Sequence, residues 1–303
     1  MSETRNLQPG MLWAWTVETT REATRSGALC PVTTDTLFLS QDGVDFVVRV
    51  LGNIARKRAA GSRHFNMATE RTGGQNPFLP YDPHLYVANV RPSHVLLLNK
   101  FNVLDHHLLI VTAHFEHQER LLTPADFQAS WLCLDDLDGL VFYNGGLTAG
   151  ASQPHKHLQL VPVPLAPGNS RLPLEQRIVP AEVGTEPSLS NALSFPHAVC
   201  RLDANSTGSA DRIAERLHRL YLQMLVMVGV EAVSADDGVI QSRPYNLLLT
   251  REWMMIVPRT AEAVAGIPVN ALGFAGALLV KDESGLDVLR ERGVMEVLRL
   301  ASS

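Results

Sequence analysis

His155, His157 and Gln159 occupy alternate positions in this chain, and they are the residues whose types and spacing point to chemistry. On a β-strand, side chains alternate between faces. The three would therefore point one way, about 6.5–7 Å apart, while Lys156 and Leu158 point the other. Imidazole is a nucleophile at neutral pH, and a carboxamide donates to an anionic oxygen without carrying charge. Upstream lie Asn144-Gly145-Gly146 and Gly150-Ala151-Ser152-Gln153. Glycines there let a ligand approach backbone N–H groups, and Ser152 and Gln153 add donors. A row of imidazoles behind a donor-rich loop suits phosphate chemistry. A bare pair of histidines at i and i+2 is more often half of a metal site or plain surface; the preceding loop and the following Gln159 favour catalysis.

The elements that must position this row can be read in outline. At 303 residues, with 46% hydrophobic and 19% charged side chains, the chain is an ordinary globular protein with enough apolar material for a core. A net charge of −5 argues against a nucleic-acid scaffold. Cys30, Cys133 and Cys200 form no CxxC pair, which disfavours a zinc ribbon and fits reduced thiols in the cytoplasm. The first residues mix acid and base and lack the apolar core of a secretory signal. The uncharged run Ala263–Val280 is interrupted by Pro268 and Asn270, so it reads as a loop and a buried small-residue helix rather than a membrane span.

A helix is expected around Met11–Ser26, carrying Trp13 and Trp15. Another is expected over Asp45–Arg58, where Phe46, Val47, Val50, Leu51 and Ile54 keep helical spacing before the Arg56-Lys57-Arg58 cluster. Residues 61–82 are loop-like, and 36–40 are a loop or a short strand. His94–Leu98 and His107–Thr112 read as antiparallel strands joined through Asn99–His106. Thr123, Pro124 and Asp126 form a helix start, with the helix running to about Leu137. Leu140–Asn144 is the next strand. The Pro-rich stretch Val161–Pro196 has no clear period. It is either a lid-like excursion or a cover over another surface. Asp211–Val230 is a helix, Asn246–Val257 a hairpin turning at Arg251-Glu252, and Gly285–Ala301 an amphipathic helix.

The segment GASQPHKHLQ resembles the active-site segment of the histidine-triad superfamily, in the branch where Gln replaces the third His. Within that branch it is similar to the ATP adenylyltransferases, also called diadenosine tetraphosphate phosphorylases. PFLPYDPHLYV, NKFNV and NLLLTREWMMIVPR are similar to further segments of that family, so the resemblance spans about Val47 to Arg259. It implies an α+β, histidine-triad-like fold: a mostly antiparallel sheet with flanking helices, forming a single domain over 1–303. The Pro-rich stretch around 163–196 would be a mobile insertion.

The implied reaction is reversible phosphorolysis of diadenosine 5′,5‴-P1,P4-tetraphosphate to ADP and ATP. His157 would be the nucleophile, carrying a covalent adenylyl group. Gly150, Ala151, Ser152, Gln153, Pro154 and Gln159 would hold the α-phosphate. Asn144 would orient His157 or the phosphate, and His155 would fix a neighbour's tautomer. Lys57 and Lys100 would neutralise the outgoing ATP, with Asn99 and Asn102 beside them. Asn246, Thr250, Met254 and Arg259 are expected to include residues facing the nucleotide. No metal-ligand set is expected from the protein; a divalent cation such as Mg2+ would ride on the polyphosphate. The implied partners are diadenosine polyphosphates, ATP, ADP and inorganic phosphate, with no nucleic acid or membrane, in a monomer or small homo-oligomer. Two other readings stay open: a hexose-1-phosphate uridylyltransferase-like enzyme, and a non-catalytic dinucleotide-binding sensor.

Overall fold

The structure, a computed structural model, describes residues 5–52, 76–91, 93–180, 182–203, 208–235 and 238–303. In chain order its elements are α1 (Leu12–Ser26), β1 (Thr34–Gln41), β2 (Val44–Leu51), β3 (Tyr86–Val90), β4 (His94–Leu98) and β5 (Leu108–Thr112). Then come α2 (Pro124–Asp136), β6 (Gly139–Gly145), β7 (His157–Pro162), α3 (Glu175–Ile178), β8 (Ser188–Leu189), β9 (Ala198–Arg201) and α4 (Ala210–Met227). The rest are β10 (Ala232–Ala235), β11 (Gly238–Gln241), β12 (Tyr245–Leu249), β13 (Trp253–Pro258), β14 (Ala263–Val264), β15 (Ile267–Pro268), α5 (Ala271–Ala275), β16 (Ala277–Val280), α6 (Glu283–Arg292) and α7 (Val294–Ser302).

Nine strands form one sheet in the order β3-β4-β5-β7-β6-β12-β13-β9-β8. Every neighbouring pair in it is antiparallel. The fold is the expected α+β class, and the two hairpins β4–β5 and β12–β13 fall where the sequence placed them. Period-two alternation divides the side chains between two cores. Leu158 and Leu160 of β7, Val141 and Tyr143 of β6, and Leu247 and Leu249 of β12 face a core closed by α1, α2 and α4. On the other face Phe142, Val161, Leu248, Trp253 and Met255 meet α5, α6, α7 and the small sheet β1-β2-β16. That second core stops short of β3–β5, where Phe78, Tyr86, Leu97, Leu109 and Val111 form a separate, smaller apolar cluster.

Several expectations are corrected. The first part of the stretch read as a helix over 45–58 is strand β2, paired with β1 and in parallel with β16. Its apolar residues fit both periods. Phe46, Val48 and Val50 alternate into the second core, and the β-branched valines favour the extended form. Its C-terminal part, Lys57 included, lies outside the described residues. The single helix expected over 285–301 is α6 and α7, broken at Gly293 with φ +85°. The apolar run 263–280 is a two-strand turn, the short helix α5 and then β16; among the described residues no helix is long and apolar enough to cross a membrane.

Of the two readings of the Pro-rich stretch, a lid-like excursion or a cover, the packing fits the cover. Leu165, Leu172, Leu174, Ile178, Val183, Leu193 and Phe195 are all buried in the second core. The segment is a cover. Its apolar residues serve irregular backbone, so they show no period.

Candidate active site

Strand β7 begins at His157, and three contacts set the geometry there. His157 Nδ1 lies 2.8 Å from the His155 carbonyl oxygen. A carbonyl only accepts, so Nδ1 carries the proton and Nε2 presents a bare lone pair. Burial pushes the His157 imidazole down to about 4, which keeps it neutral at physiological pH. His155 itself is buried. Its Nε2 donates to the Thr112 carbonyl at 2.9 Å, and its Nδ1 accepts from Asn76 Nδ2 at 2.9 Å. Asn76 is oriented by accepting from Phe78 N at 2.9 Å. The contact of His155 with the His157 ring is made by its backbone oxygen rather than its own ring. The Phe78 ring packs against both imidazoles, at centroid separations of 5.6 Å and 5.3 Å.

Gln159 follows on the same face. Its Oε1 accepts from His107 Nε2 at 3.0 Å, and His107 Nδ1 lies 3.3 Å from Asn99 Nδ2. Asn99 Oδ1 in turn faces Phe101 N at 3.3 Å. The chain runs in one direction: Phe101 N–H to Asn99, Asn99 amide to His107, His107 Nε2–H to Gln159. It leaves the Gln159 NH2 group as the outward donor. His107 is also held at about 4 by burial, so it stays neutral. Asn99 therefore acts on Gln159 through His107, which the sequence reading passed over; its position at the start of a strand facing Gln159 was the available signal.

Behind β7, Gln118 closes a gap in the sheet. The regular β6–β7 register ends at Phe142 and Gln159. Beyond it, Gln118 Nε2 donates to the Asn144 and His157 carbonyls at 3.0 Å and 3.1 Å, and its Oε1 accepts from His157 N at 2.9 Å. One side-chain amide replaces a missing rung and lets the strands part where the loop 146–154 must enter. Sequence reasoning missed Gln118 as well, because nothing local marks a glutamine that bonds to backbone 26 and 39 residues away.

A second polar chain crosses to β12. Arg259 Nη1 donates to Asn246 Oδ1 at 2.6 Å, and Asn246 Nδ2 donates to Asn144 Oδ1 at 2.9 Å and to the Ala149 carbonyl at 2.9 Å. Asn144 Oδ1 also accepts from Ala271 N at 3.0 Å. Its oxygen is consumed within the protein, and its amide NH2 is the end left for a ligand. Arg259 is buried, bonded to the Ala301 and Ala261 carbonyls, and burial lowers its guanidinium to about 9. Asn246 and Arg259 thus brace the phosphate-side loop from behind. Gly150 lies in that loop at φ +95°, where a Cβ would come within 2.8 Å of Asn270 Cβ, so only glycine fits. Ala151 N bonds back to Gly146 O at 3.1 Å. The Pro154 carbonyl accepts from Gln118 N at 2.7 Å. The side chains of Ser152 and Gln153 are half-buried and bond to no described residue, which leaves them as donors at the mouth of the loop.

Three expected contacts are placed elsewhere. Met254 points into the helix-covered core, on the face opposite His157. Thr250 caps the β12–β13 turn, accepting from Glu252 N at 3.1 Å and Trp253 N at 3.2 Å. Asn102 is buried and donates to the Leu104 carbonyl at 2.9 Å, which holds the loop shape. Lys100 is exposed on that loop with its ammonium over the Phe101 ring, 5.4 Å from the centroid.

The arrangement is a neutral, tautomer-fixed imidazole with a bare Nε2 lone pair, beside an oriented carboxamide donor and a loop with free donors. Two family models match the chain: the Ap4A phosphorylase N-terminal domain over residues 2–180, and the ATP adenylyltransferase C-terminal domain over 191–302. The chain belongs to the Ap4A phosphorylase family, and it is a nucleotidyltransferase by that membership. It is similar to diadenosine 5′,5‴-P1,P4-tetraphosphate phosphorylase 2 of Saccharomyces cerevisiae, with 31% identity over 243 residues, 72% of this chain and 72% of that one. Yeast protein APA1 is 29% identical over 211 residues, 66% of this chain and 65% of the relative. The crystal structure of yeast Ap4A phosphorylase Apa2 in complex with Ap4A superimposes with a TM-score of 0.76 at 25% identity, covering 98% of each chain. The two family models meet inside the Pro-rich cover, yet the nine-stranded sheet runs through both.

Proposed function

We propose that this protein phosphorolyses diadenosine tetraphosphate to ADP and ATP through an adenylyl group on His157. The observation that carries the reading is the His157 tautomer, with Nδ1–H held by the His155 carbonyl and Nε2 unprotonated. Nε2 attacks an α-phosphorus, forming the N–P bond as the bridging P–O bond breaks and ATP leaves. The positive charge that develops on the adenylylated ring sits next to the His155 carbonyl oxygen. Inorganic phosphate then attacks the same phosphorus, the N–P bond breaks, and ADP departs with Nε2 restored. The Gln159 NH2 group, with Ser152 and Gln153, donates to the non-bridging oxygens. Gln159 cannot take a proton from an attacking water as an imidazole could, which favours an intermediate that persists until phosphate arrives.

The apolar cluster of Phe78, Leu109 and Val111 supports a base-binding surface. Val111 pairs in register with His157, and Leu109 with Gln159, so the cluster adjoins the nucleophile on one face. The charge of the outgoing ATP falls to Lys100 and Lys57. A divalent cation, magnesium first, would ride on the polyphosphate oxygens. Among the described residues no group of three His, Cys, Asp or Glu stands ready to ligate one, so no step is routed through it. The assembly we assign is a monomer or small homo-oligomer. With Cys30, Cys133 and Cys200 all free, the cytoplasm is the compartment we assign.

The test is product analysis of diadenosine tetraphosphate with and without inorganic phosphate. ADP and ATP formed only with phosphate support the reading. AMP and ATP without phosphate would make the protein a hydrolase. Turnover of uridine diphosphate glucose, with none of the dinucleotide, would favour the uridylyltransferase alternative.

A further inference from the structure

Lys156 sits between the two histidines, and its side chain is buried on the helix face with 1% exposure. Its ammonium has three N–H groups, and all three are used. Asp126 Oδ2 lies at 2.7 Å, Glu116 Oε2 at 3.1 Å and the Leu121 carbonyl at 3.3 Å. Asp126 is equally fixed. It closes the capping box at the N-terminus of α2, where Thr123 N and Thr123 Oγ1 donate to it at 2.6 Å and 2.7 Å, and His94 Nε2 lies at 3.0 Å. Burial alone would raise its carboxyl, but the His94 bond and the Lys156 charge hold it well below the usual carboxylate range.

A buried ion pair is an expensive way to hold a strand, because apolar residues of similar volume are often as stable or more so. What it supplies is discrimination between registers. On the helix face β7 presents Leu158 and Leu160, and its neighbour β5 presents Leu108 and Ile110. A slip of two residues would keep every side chain on its proper face and, within the core, set one leucine in place of another, while bringing Lys156 or Pro162 into a leucine's place at the strand end. It would also carry His157 about 6.5–7 Å from its place. The alternation of faces alone does not exclude that error. Gln118 is blind too, since it bonds backbone groups that any residue offers. A slipped Lys156, by contrast, loses the one carboxylate fixed to receive it.

We propose that the Lys156–Asp126 ion pair is a registry pin that sets β7 so that His157 and Gln159 face the substrate. The pair acts through the strand and touches no substrate. The proposal takes His157 as the nucleophile, and it is tested with a readout that does not need turnover. The first experiment is the double variant Lys156→Met/Asp126→Asn, which removes both charges while keeping volume. The pin predicts a folded protein whose kcat on diadenosine tetraphosphate and phosphate falls at least 10-fold while KM stays within 3-fold. It also predicts that the His157 Nδ1–H proton signal, a single resonance in the 15N-labelled wild type, broadens or splits. Wild-type kcat and one unchanged Nδ1–H resonance in the folded double variant would overturn it. If the double variant does not fold, Lys156→Arg and Lys156→Gln are compared. The pin requires Arg to retain the single resonance and most of the kcat, and Gln to lose both; equal behaviour of the two overturns it. A wild-type protein with the resonance but no dinucleotide turnover would count against the substrate reading alone.

Discussion

The two faces of strand β7 are built by opposite rules. On the helix face, one residue from His157, full charges are buried and paired: Lys156 with Asp126 and Glu116. On the site face His157, the His107–Gln159 pair and the Asn144–Asn246 chain carry no formal charge, since both imidazoles are held neutral by burial. The only described cation in that chain, Arg259, sits at its rear, against carbonyls. Charge is placed where geometry must be held, and neutral dipoles where a lone pair must stay free. A protonated imidazole cannot attack phosphorus, and a substrate rich in anionic oxygens would raise the pKa of any exposed imidazole beside it. Burial counters that pull.

The largest effect that would break this contrast is loss of the nucleophile. His157→Ala should lower kcat/KM for the dinucleotide by at least about 10³-fold, leaving the far-UV circular dichroism unchanged. Residual turnover within tenfold of wild type would move the chemistry elsewhere on the site face. Next, Gln159→Leu should reduce kcat by about 10²-fold by removing a donor to the phosphoryl oxygens. His107→Phe should cost about tenfold, because it frees the carboxamide to rotate. The double variant should be no worse than Gln159→Leu alone, and simple additivity in a double-mutant cycle would disprove the relay.

The pH dependence sharpens the same comparison. A histidine ordinarily titrates near 6.5, whereas His107 and His157 are held at about 4 in the folded protein. Between these values the unfolded chain binds protons that the native state does not, so stability rises with pH there and is lost as pH falls from about 6.5 toward 4. Urea midpoints across that window should decline. His107→Phe should flatten the decline. The acid limb of kcat should lie below pH 6.5 rather than at it. The smallest effect on activity belongs to Gly276→Ala, between α5 and β16 where they meet the cover. There φ is +99° and a Cβ would meet Pro173 Cβ at 2.5 Å. It should destabilise by about 1–3 kcal/mol in denaturant titration while kcat holds.

How much of this was legible in the sequence depended on range. The His155, His157 and Gln159 row, the two hairpins and the α2 capping box are written in neighbouring residues, and all are found where they were read. His107, Gln118 and Asp126 were not recognised as parts of the site because each acts on β7 from another element, and no local period records such a contact. Strand β2 was misread because a run such as VDFVVRVL is apolar at both helical and strand spacings. Only its partners β1 and β16 decide between them. Of the four residues among which nucleotide contacts are expected, Met254 lies in the helix-covered core, because alternation along β13 turns it away from the face of His157.

The rung joining Asn144 to Asn246 spans 102 residues of chain. Closing so long a loop costs entropy that the β6–β12 pairing has to offset. Without that pairing Asn144 would lose Asn246 as its partner across the seam, and the loop that carries Ser152 and Gln153 would lose the bond from Asn246 to the Ala149 carbonyl.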